Sequence, residues 1–302
     1  MTSRRSFMAG GAALAASACV PIDTSPTGRL SAKLRIIEAA SGGTLGVGLL
    51  DAENGAMLSH NAQMRFGHCS SFKFSLAAMV LARAQSGAID ADEHVTWSKD
   101  DLMSVSPFTT KRIEEGATLR ELAEAAQKYS DNAAANILLK QLGGPEALTA
   151  FWREIGDGTS RLDRIEPALN NVPPGEERDT TTPTAMARTV YRLAFGSVLD
   201  PEDQQTLRQW TTDTKTGVRR VRAGLPESWP AGDKTGTSNW PGVGSIYVDV
   251  GWVHPPEREP LTFATYFQSR SALEGMDPAS EQVLAQVGEV LAAFALHGSS
   301  PA

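Results

Sequence analysis

The sequence predicts an α/β (α+β) protein: a sheet unit assembled from both ends of the chain, with an all-helical insertion between them. Three observations predict this. Strand-like stretches fall near the two ends, at residues 44–59 and 243–268. The segments between them carry helical periodicity and recognisable caps. A last amphipathic helix, opened by Asp277-Pro278, follows the final strand. The 302 residues suit one large or two interleaved domains. Hydrophobic residues at 41% and charged residues at 21% are those of an ordinary globular protein, with ample material for a core.

The N-terminus, MTSRRSFMAGGAALAASACV, reads as an export signal. Ser3 to Phe7 resembles a twin-arginine motif, although the Lys usual after the Phe is absent. The apolar stretch at 8–20 is too short to span a bilayer. Ala16-Ser17-Ala18 forms a small-residue cleavage site. Cys19 follows directly and fits a lipid-anchor acceptor, though Ala16 stands where a Leu is usual. Either reading removes residues 1–18, leaves 19–28 as a tether, and sends the protein to the periplasm or cell envelope. Cleavage removes Arg4 and Arg5 and no acid, so the net charge moves from −7 to −9. No basic patch stands out, which excludes nucleic acid as an expected partner. Cys19 and Cys69 are the only cysteines, and lipidation of the first would leave the second unpaired.

Residues 44–50 and 56–59, joined by Asp51-Ala52-Glu53-Asn54-Gly55, read as a β-hairpin whose Asn-Gly accepts positive φ. A helical pattern runs over 72–84. Thr118 and Glu121 form a capping box for the next helix. Helices are expected at 132–142 and 145–155. Residues 157–181 lack periodicity and contain adjacent prolines, and a loop this long in a compact protein is usually functional or disordered. Thr182-Pro183 and Asp200-Pro201 start two further helices. Strands are expected around Lys234, at 243–251 and at 261–268, before the helix that runs to about 296.

Three short motifs carry chemistry. Ser70 and Lys73 lie three residues apart at a helix start and so share a face. A serine hydroxyl becomes a nucleophile when a neighbour accepts its proton, and the helix N-terminus favours a developing oxyanion. Ser71 sits about 100° round the helix and fits worse. Ser130, Asp131 and Asn132 join two helices, a common capping combination that also sets a hydroxyl and an amide at a cleft mouth. Lys-Thr-Gly occurs twice. Lys215-Thr216-Gly217 follows a helix and reads as its exit. Lys234-Thr235-Gly236 precedes a hairpin turn and a clear strand; there Thr235 and Thr237 share a face, and Gly236 admits a close neighbour. The second copy is the expected anion cradle.

In this order the motifs resemble those of the serine penicillin-recognising enzymes. Residues 164–170, Arg-Ile-Glu-Pro-Ala-Leu-Asn, are similar to the Glu-x-x-Leu-Asn element of class A β-lactamases. The resemblance spans most of residues 30–297. It implies an antiparallel sheet flanked by helices (residues 29–61 and 213–302) plus an all-α domain (62–212) with an Ω loop at 164–179. It implies Ser70 as nucleophile, Lys73 as proton relay, and Ser130 as proton donor to the lactam nitrogen. Glu166 and Asn170 would hold the hydrolytic water. Asn132, Lys234, Thr235, Gly236 and Thr237 would bind substrate, with Arg220 as a supporting cation. The backbone N–H groups of Ser70 and Thr237 would hold the oxyanion. Arg164 and Asp179 would close the Ω loop, and a cis bond would precede Pro167. Whether Lys73 or Glu166 starts acylation is disputed within the family.

The implied activity is hydrolysis of the lactam amide of penicillins, and of cephalosporins, conferring antibiotic resistance. The implied protein is a monomer that acts on a small β-lactam without metal or cofactor. The alternatives are a D,D-peptidase acting on cell-wall peptides, which would not need Glu166 and Asn170, and a lactam-binding envelope sensor. The five histidines lack metal-site spacing, which disfavours a zinc enzyme. Val105 departs from the family's aromatic wall; Trp240, on the turn after the Lys-Thr-Gly strand, is either a replacement aromatic rim or an exposed turn residue without a role. Ser238 denies Cys69 the disulfide partner found in carbapenem-hydrolysing relatives, so efficient carbapenem turnover is not expected.

Overall fold

The computed structural model describes residues 23–297. The twin-arginine-like segment, the cleavage site and Cys19 lie outside the described residues. In chain order the elements are α1 (Pro26–Ser41), β1 (Gly43–Asp51), β2 (Met57–His60), β3 (Phe66–Gly67), α2 (Phe72–Gln85), β4 (His94–Val95) and α3 (Pro107–Lys111). Next come β5 (Ala117–Thr118), α4 (Leu119–Lys128), α5 (Asn132–Leu142), α6 (Pro145–Glu154), β6 (Thr180–Thr181), α7 (Pro183–Ala194) and α8 (Pro201–Thr212). The chain closes with β7 (Ala231–Ser238), β8 (Ile246–Val253), β9 (Leu261–Ser269) and α9 (Pro278–His297).

The expected union of the two chain ends is present. The main sheet has the order β2-β1-β9-β8-β7, and each neighbouring pair is antiparallel. Strands β1 and β9 pair along their whole length, from Gly43 opposite Ser269 to Asp51 opposite Leu261. Every residue of β8 is buried, so both faces of that strand meet a core. Alternation divides them: Ile246, Val248 and Val250 pack toward the helices around α2, while Tyr247 packs toward α1 and α9. Helix α2 is buried from Phe72 to Leu81, all round its first three turns, and forms the axis of the larger core.

The capping box at Thr118 and Glu121 forms as expected, and Thr182 and Asp200 cap α7 and α8 ahead of their prolines. Three expectations need correction. Ser25 caps a helix that begins at Pro26, so the last three residues of the expected tether are helical. In the first hairpin only Gly55 adopts positive φ; Asn54 instead accepts a hydrogen bond from the Ala56 N–H. Strand β8 begins at Ile246 rather than Val243, because Gly242 and Gly244 both take positive φ in the preceding turn.

Candidate active site

Ser70 stands where a sheet-like segment turns sharply into α2. Strand β3 pairs with β6, and the His68 N–H donates to the Asp179 carbonyl at 2.9 Å. Cys69 then takes φ 45°, which L residues seldom adopt, and residues 69–71 form one 3-10 turn that leads into α2. This lifts Ser70 to the surface of a cleft. Ser71 is fully buried and its hydroxyl donates to the His68 carbonyl at 2.8 Å, so it is not available as a nucleophile. Gly236 is the close neighbour its lack of a side chain permits. A Cβ there would lie 2.8 Å from the His68 carbonyl oxygen and 3.0 Å from the Ser70 nitrogen. Strand β7 can therefore press its backbone against the serine turn only with glycine at this position.

The Ser130 turn is held by Asp131. Its buried carboxylate caps α5 through the Ala134 N–H at 2.8 Å and also accepts from the Phe108 N–H, the Thr109 N–H and the Thr109 hydroxyl. That leaves Ser130 and Asn132 facing the cleft, with Ser130 at φ 59°. Lys73 lies between these parts. Its ammonium donates to Ser70 Oγ at 2.9 Å, to the Ser130 carbonyl at 3.0 Å and to Asn132 Oδ1, and it pairs with Glu166 Oε1 at 3.1 Å.

Glu166 reaches the site from the long loop. The Asp179 carboxylate, fully buried, accepts from the Arg164 Nε at 2.5 Å and from the backbone N–H groups of Asp163 and Arg164. Arg164 also donates to the Asn171 carbonyl. The peptide bond between Glu166 and Pro167 is cis. The Asn136 side chain grips both backbone polar groups of Glu166, at 3.0 and 2.9 Å. Glu166 Oε1 accepts from the Ser70 hydroxyl at 3.1 Å, and Oε2 accepts from Asn170 at 2.7 Å.

The opposite end of the cleft is cationic. Lys234 donates to Ser130 Oγ at 3.0 Å and to the Thr235 carbonyl. Arg220 is buried beneath it, donating to the carbonyls of Gly236 and Val248 and to the Thr237 hydroxyl. Burial lowers the Lys73 pKa despite the opposing charge of Glu166. Burial, reinforced by the Lys73 charge, lowers that of Lys234 much further. Burial alone would raise the Glu166 pKa, but the Lys73 ammonium and the bonds from Asn170 and Ser70 hold it below the usual carboxylate value. Burial and the Glu166 charge push the Cys69 thiol up, so it stays protonated. Cys69 is free, and Ser238 Oγ donates to the Asn170 carbonyl at 3.1 Å.

Ser70, Ser130, Asn132, Glu166, Asn170, Arg220, Thr235, Gly236 and Thr237 all line one cleft of about 440 Å³, with Lys73 and Lys234 buried in its wall. Trp240 is not among the lining residues; the aromatic side chain there is Tyr129. Residues missed in the sequence include Asn136, one helical turn after Asn132 on the same face, where that spacing was a usable signal. The first Lys-Thr-Gly copy was also underrated. It lies past the end of α8 as expected, yet Lys215 and Thr216 line the cleft, and the Thr216 hydroxyl meets the Thr235 hydroxyl at 2.6 Å.

A hydroxyl bonded to a carboxylate and an ammonium, a second hydroxyl beside a buried lysine, and a cationic pocket define a serine hydrolase built for acyl transfer from an anionic substrate. The sequence matches the model of the β-lactamase enzyme family over residues 29–295. It is 45% identical over 230 residues to the carbapenem-hydrolyzing β-lactamase KPC of Klebsiella oxytoca, covering 76% of this chain and 78% of that one. It is 43% identical to β-lactamase CTX-M-8 of Citrobacter amalonaticus, covering 78% and 79% of the two chains. Among solved structures, the last common ancestor of Gram-negative bacteria class A β-lactamase superposes with a TM-score of 0.82 at 46% identity, covering 89% of this chain and 99% of that one. The chain belongs to the class A serine β-lactamases and is a β-lactam hydrolase of the kind that gives antibiotic resistance.

Proposed function

We propose that the protein hydrolyses the lactam amide in two steps through an acyl-enzyme on Ser70. The observation that carries this is the position of Glu166, whose Oε1 lies 3.1 Å from Ser70 Oγ and 3.1 Å from Lys73 Nζ. As an ammonium, Lys73 only donates, so the hydroxyl proton of Ser70 has Glu166 as its acceptor. Attack on the lactam carbonyl gives an oxyanion for the backbone N–H groups of Ser70 and Thr237. Ser130, whose hydroxyl accepts from Lys234 and whose carbonyl accepts from Lys73, gives its proton to the lactam nitrogen as the ring opens. The proton taken by Glu166 passes to Lys73 as Lys73 re-protonates Ser130, which leaves Glu166 again a carboxylate. Glu166, with Asn170, then activates a water that cleaves the ester.

Substrate orientation follows from the cleft's two ends. Lys234, Thr235 and Thr237 take the ring carboxylate, with Gly236 giving the close approach of the strand and Arg220 supporting Thr237 from below. Asn132 contacts the acylamide. The units 29–61 with 213–302 and 62–212 contribute opposite walls. Neither metal nor cofactor takes part in this scheme. The mature protein is an exported monomer that starts at Cys19. The free Cys69 and the bond from Ser238 to Asn170 support weak carbapenem turnover compared with penicillin turnover.

The test is the amount of product per enzyme when residues 19–302 meet excess benzylpenicillin, followed by intact mass. Many equivalents of hydrolysed product are expected. One stable adduct per chain would favour a peptidase or a sensor, and neither adduct nor product would defeat the Ser70 reading.

A further inference from the structure

The first Lys-Thr-Gly copy is built into the cleft more firmly than a helix exit requires. Thr214 is held by Gln127, which donates to its hydroxyl, and by Arg222, which donates to its carbonyl. Thr216 is held by the hydroxyl of Thr235 at 2.6 Å. Gly217 is packed so tightly on Asp233 that a Cβ would fall 2.0 Å from its carboxylate. Between these anchors stands Lys215, exposed and lining the cleft. Among the described residues no carboxylate lies within ion-pair distance of it, whereas neighbouring Arg219 is neutralised by Glu281 at 2.7 Å. Arg220 and Lys234 are buried. Lys215 is thus the solvent-facing, unpaired cation at the carboxylate end of the cleft, carried on a backbone pinned on both sides.

We propose that Lys215 is a specificity-determining residue that favours β-lactams with a second negative charge on the ring that bears the carboxylate. The inference rests on the orientation above, with the ring carboxylate at Lys234 and Thr235. The Thr216–Thr235 hydroxyl pair then lies directly beyond that carboxylate. Lys215, next in the chain to Thr216, stands on the rim beside that pocket, within reach of a substituent on the adjacent ring carbon. An anionic group there meets an ammonium with no competing carboxylate. The contact is solvent-exposed, so its effect is modest and screened by salt.

The test uses two cephalosporins with one acyl side chain, differing only in the group beside the ring carboxylate: neutral acetoxymethyl in one, anionic carboxymethylthiomethyl in the other. At low ionic strength Lys215→Gln should lower kcat/KM for the anionic compound by about threefold and Lys215→Glu by about tenfold. The neutral compound should lose less than about twofold, and Lys215→Arg should behave as the wild type. Salt at about 0.5 M should remove most of the difference. Equal losses on both compounds, or none with Lys215→Glu, would overturn the role of Lys215 while leaving the hydrolase reading intact. Failure of the wild type to turn over either compound would instead bring down both.

Discussion

Glu166 carries the largest consequence of any single residue. Without the Glu166 carboxylate, neutral Lys73, whose pKa burial lowers, is left to accept the Ser70 proton. Glu166→Ala should therefore acylate more slowly than the wild type yet release product slower still, by about 10²- to 10⁴-fold. Intact mass with benzylpenicillin should then show an adduct on most chains, and fast turnover by this variant would remove Glu166 from the second step. The pH profile has a definite sign. Glu166 is held below its usual value, so activity should persist until the pH falls below about 4.5, where the carboxylate protonates. The fold is challenged earlier. His68 is fully buried against Trp152, and loss of solvation pushes its pKa down from 6.5 to about 4. Between those values the unfolded chain takes up a proton that the folded chain refuses. Stability therefore falls by about 3 kcal/mol on acidification from pH 6.5 to 4. Denaturant midpoints at pH 7 and pH 4.5 should separate accordingly, and equal midpoints would show that His68 finds a way to be protonated in place.

At the scale of elements, the Ω loop shows how a segment without periodicity is ordered. Its ends are joined by Arg164 and Asp179, its middle by Asn136, and its far side by Ser238. Asp179 accepts from two backbone N–H groups as well as from Arg164, so its carboxylate holds three donors of one turn. Asp179→Asn removes the charge and cannot satisfy all three as an acceptor of the same strength. A loss of about 3 kcal/mol is expected, the range for breaking a buried ion pair. Because the loop carries Glu166, deacylation should slow more than acylation. Urea unfolding with single-turnover kinetics checks both, and an unchanged midpoint would mean that Asn136 and Ser238 suffice.

For the whole molecule, the sheet separates two cores, and the cleft belongs to one of them. Phe294 of α9 lies 1% exposed in the core shared with α1, on the sheet face away from the Ser70 turn. Phe294→Ala should cost about 4 kcal/mol through lost burial and the cavity left behind. Activity per folded molecule should be unchanged, since Phe294 lies more than three turns along α9 from Glu281, the α9 residue that lines the cleft. A matching fall in kcat at temperatures well below the melting transition would show that the two cores are coupled. The pairing of β1 with β9 also joins residues more than 200 positions apart in sequence, so folding must close a very long loop before the sheet exists.

Local signals were legible where local physics sufficed. Thr118 with Glu121, Thr182 before Pro183 and Asp200 before Pro201 set their helices within a few residues. The order of the short motifs, with Arg164, Glu166 and Asn170 between them, carries the family resemblance in the sequence alone. The α1 helix was missed because its first turn follows a signal-like segment and its apolar face is weakly patterned. Strand β8 was begun too early because a glycine turn resembles a flexible strand in one dimension. What the sequence determined by itself was the chemistry available: which side chains could be nucleophile, base and anion cradle. Only the tertiary structure decided their partners. It buried Ser71 and raised Ser70, put Tyr129 rather than Trp240 at the rim, and brought Lys215 beside Thr235. The reason is physical: capping and periodicity act within a turn or two, whereas burial and charge pairing depend on segments far apart in the chain.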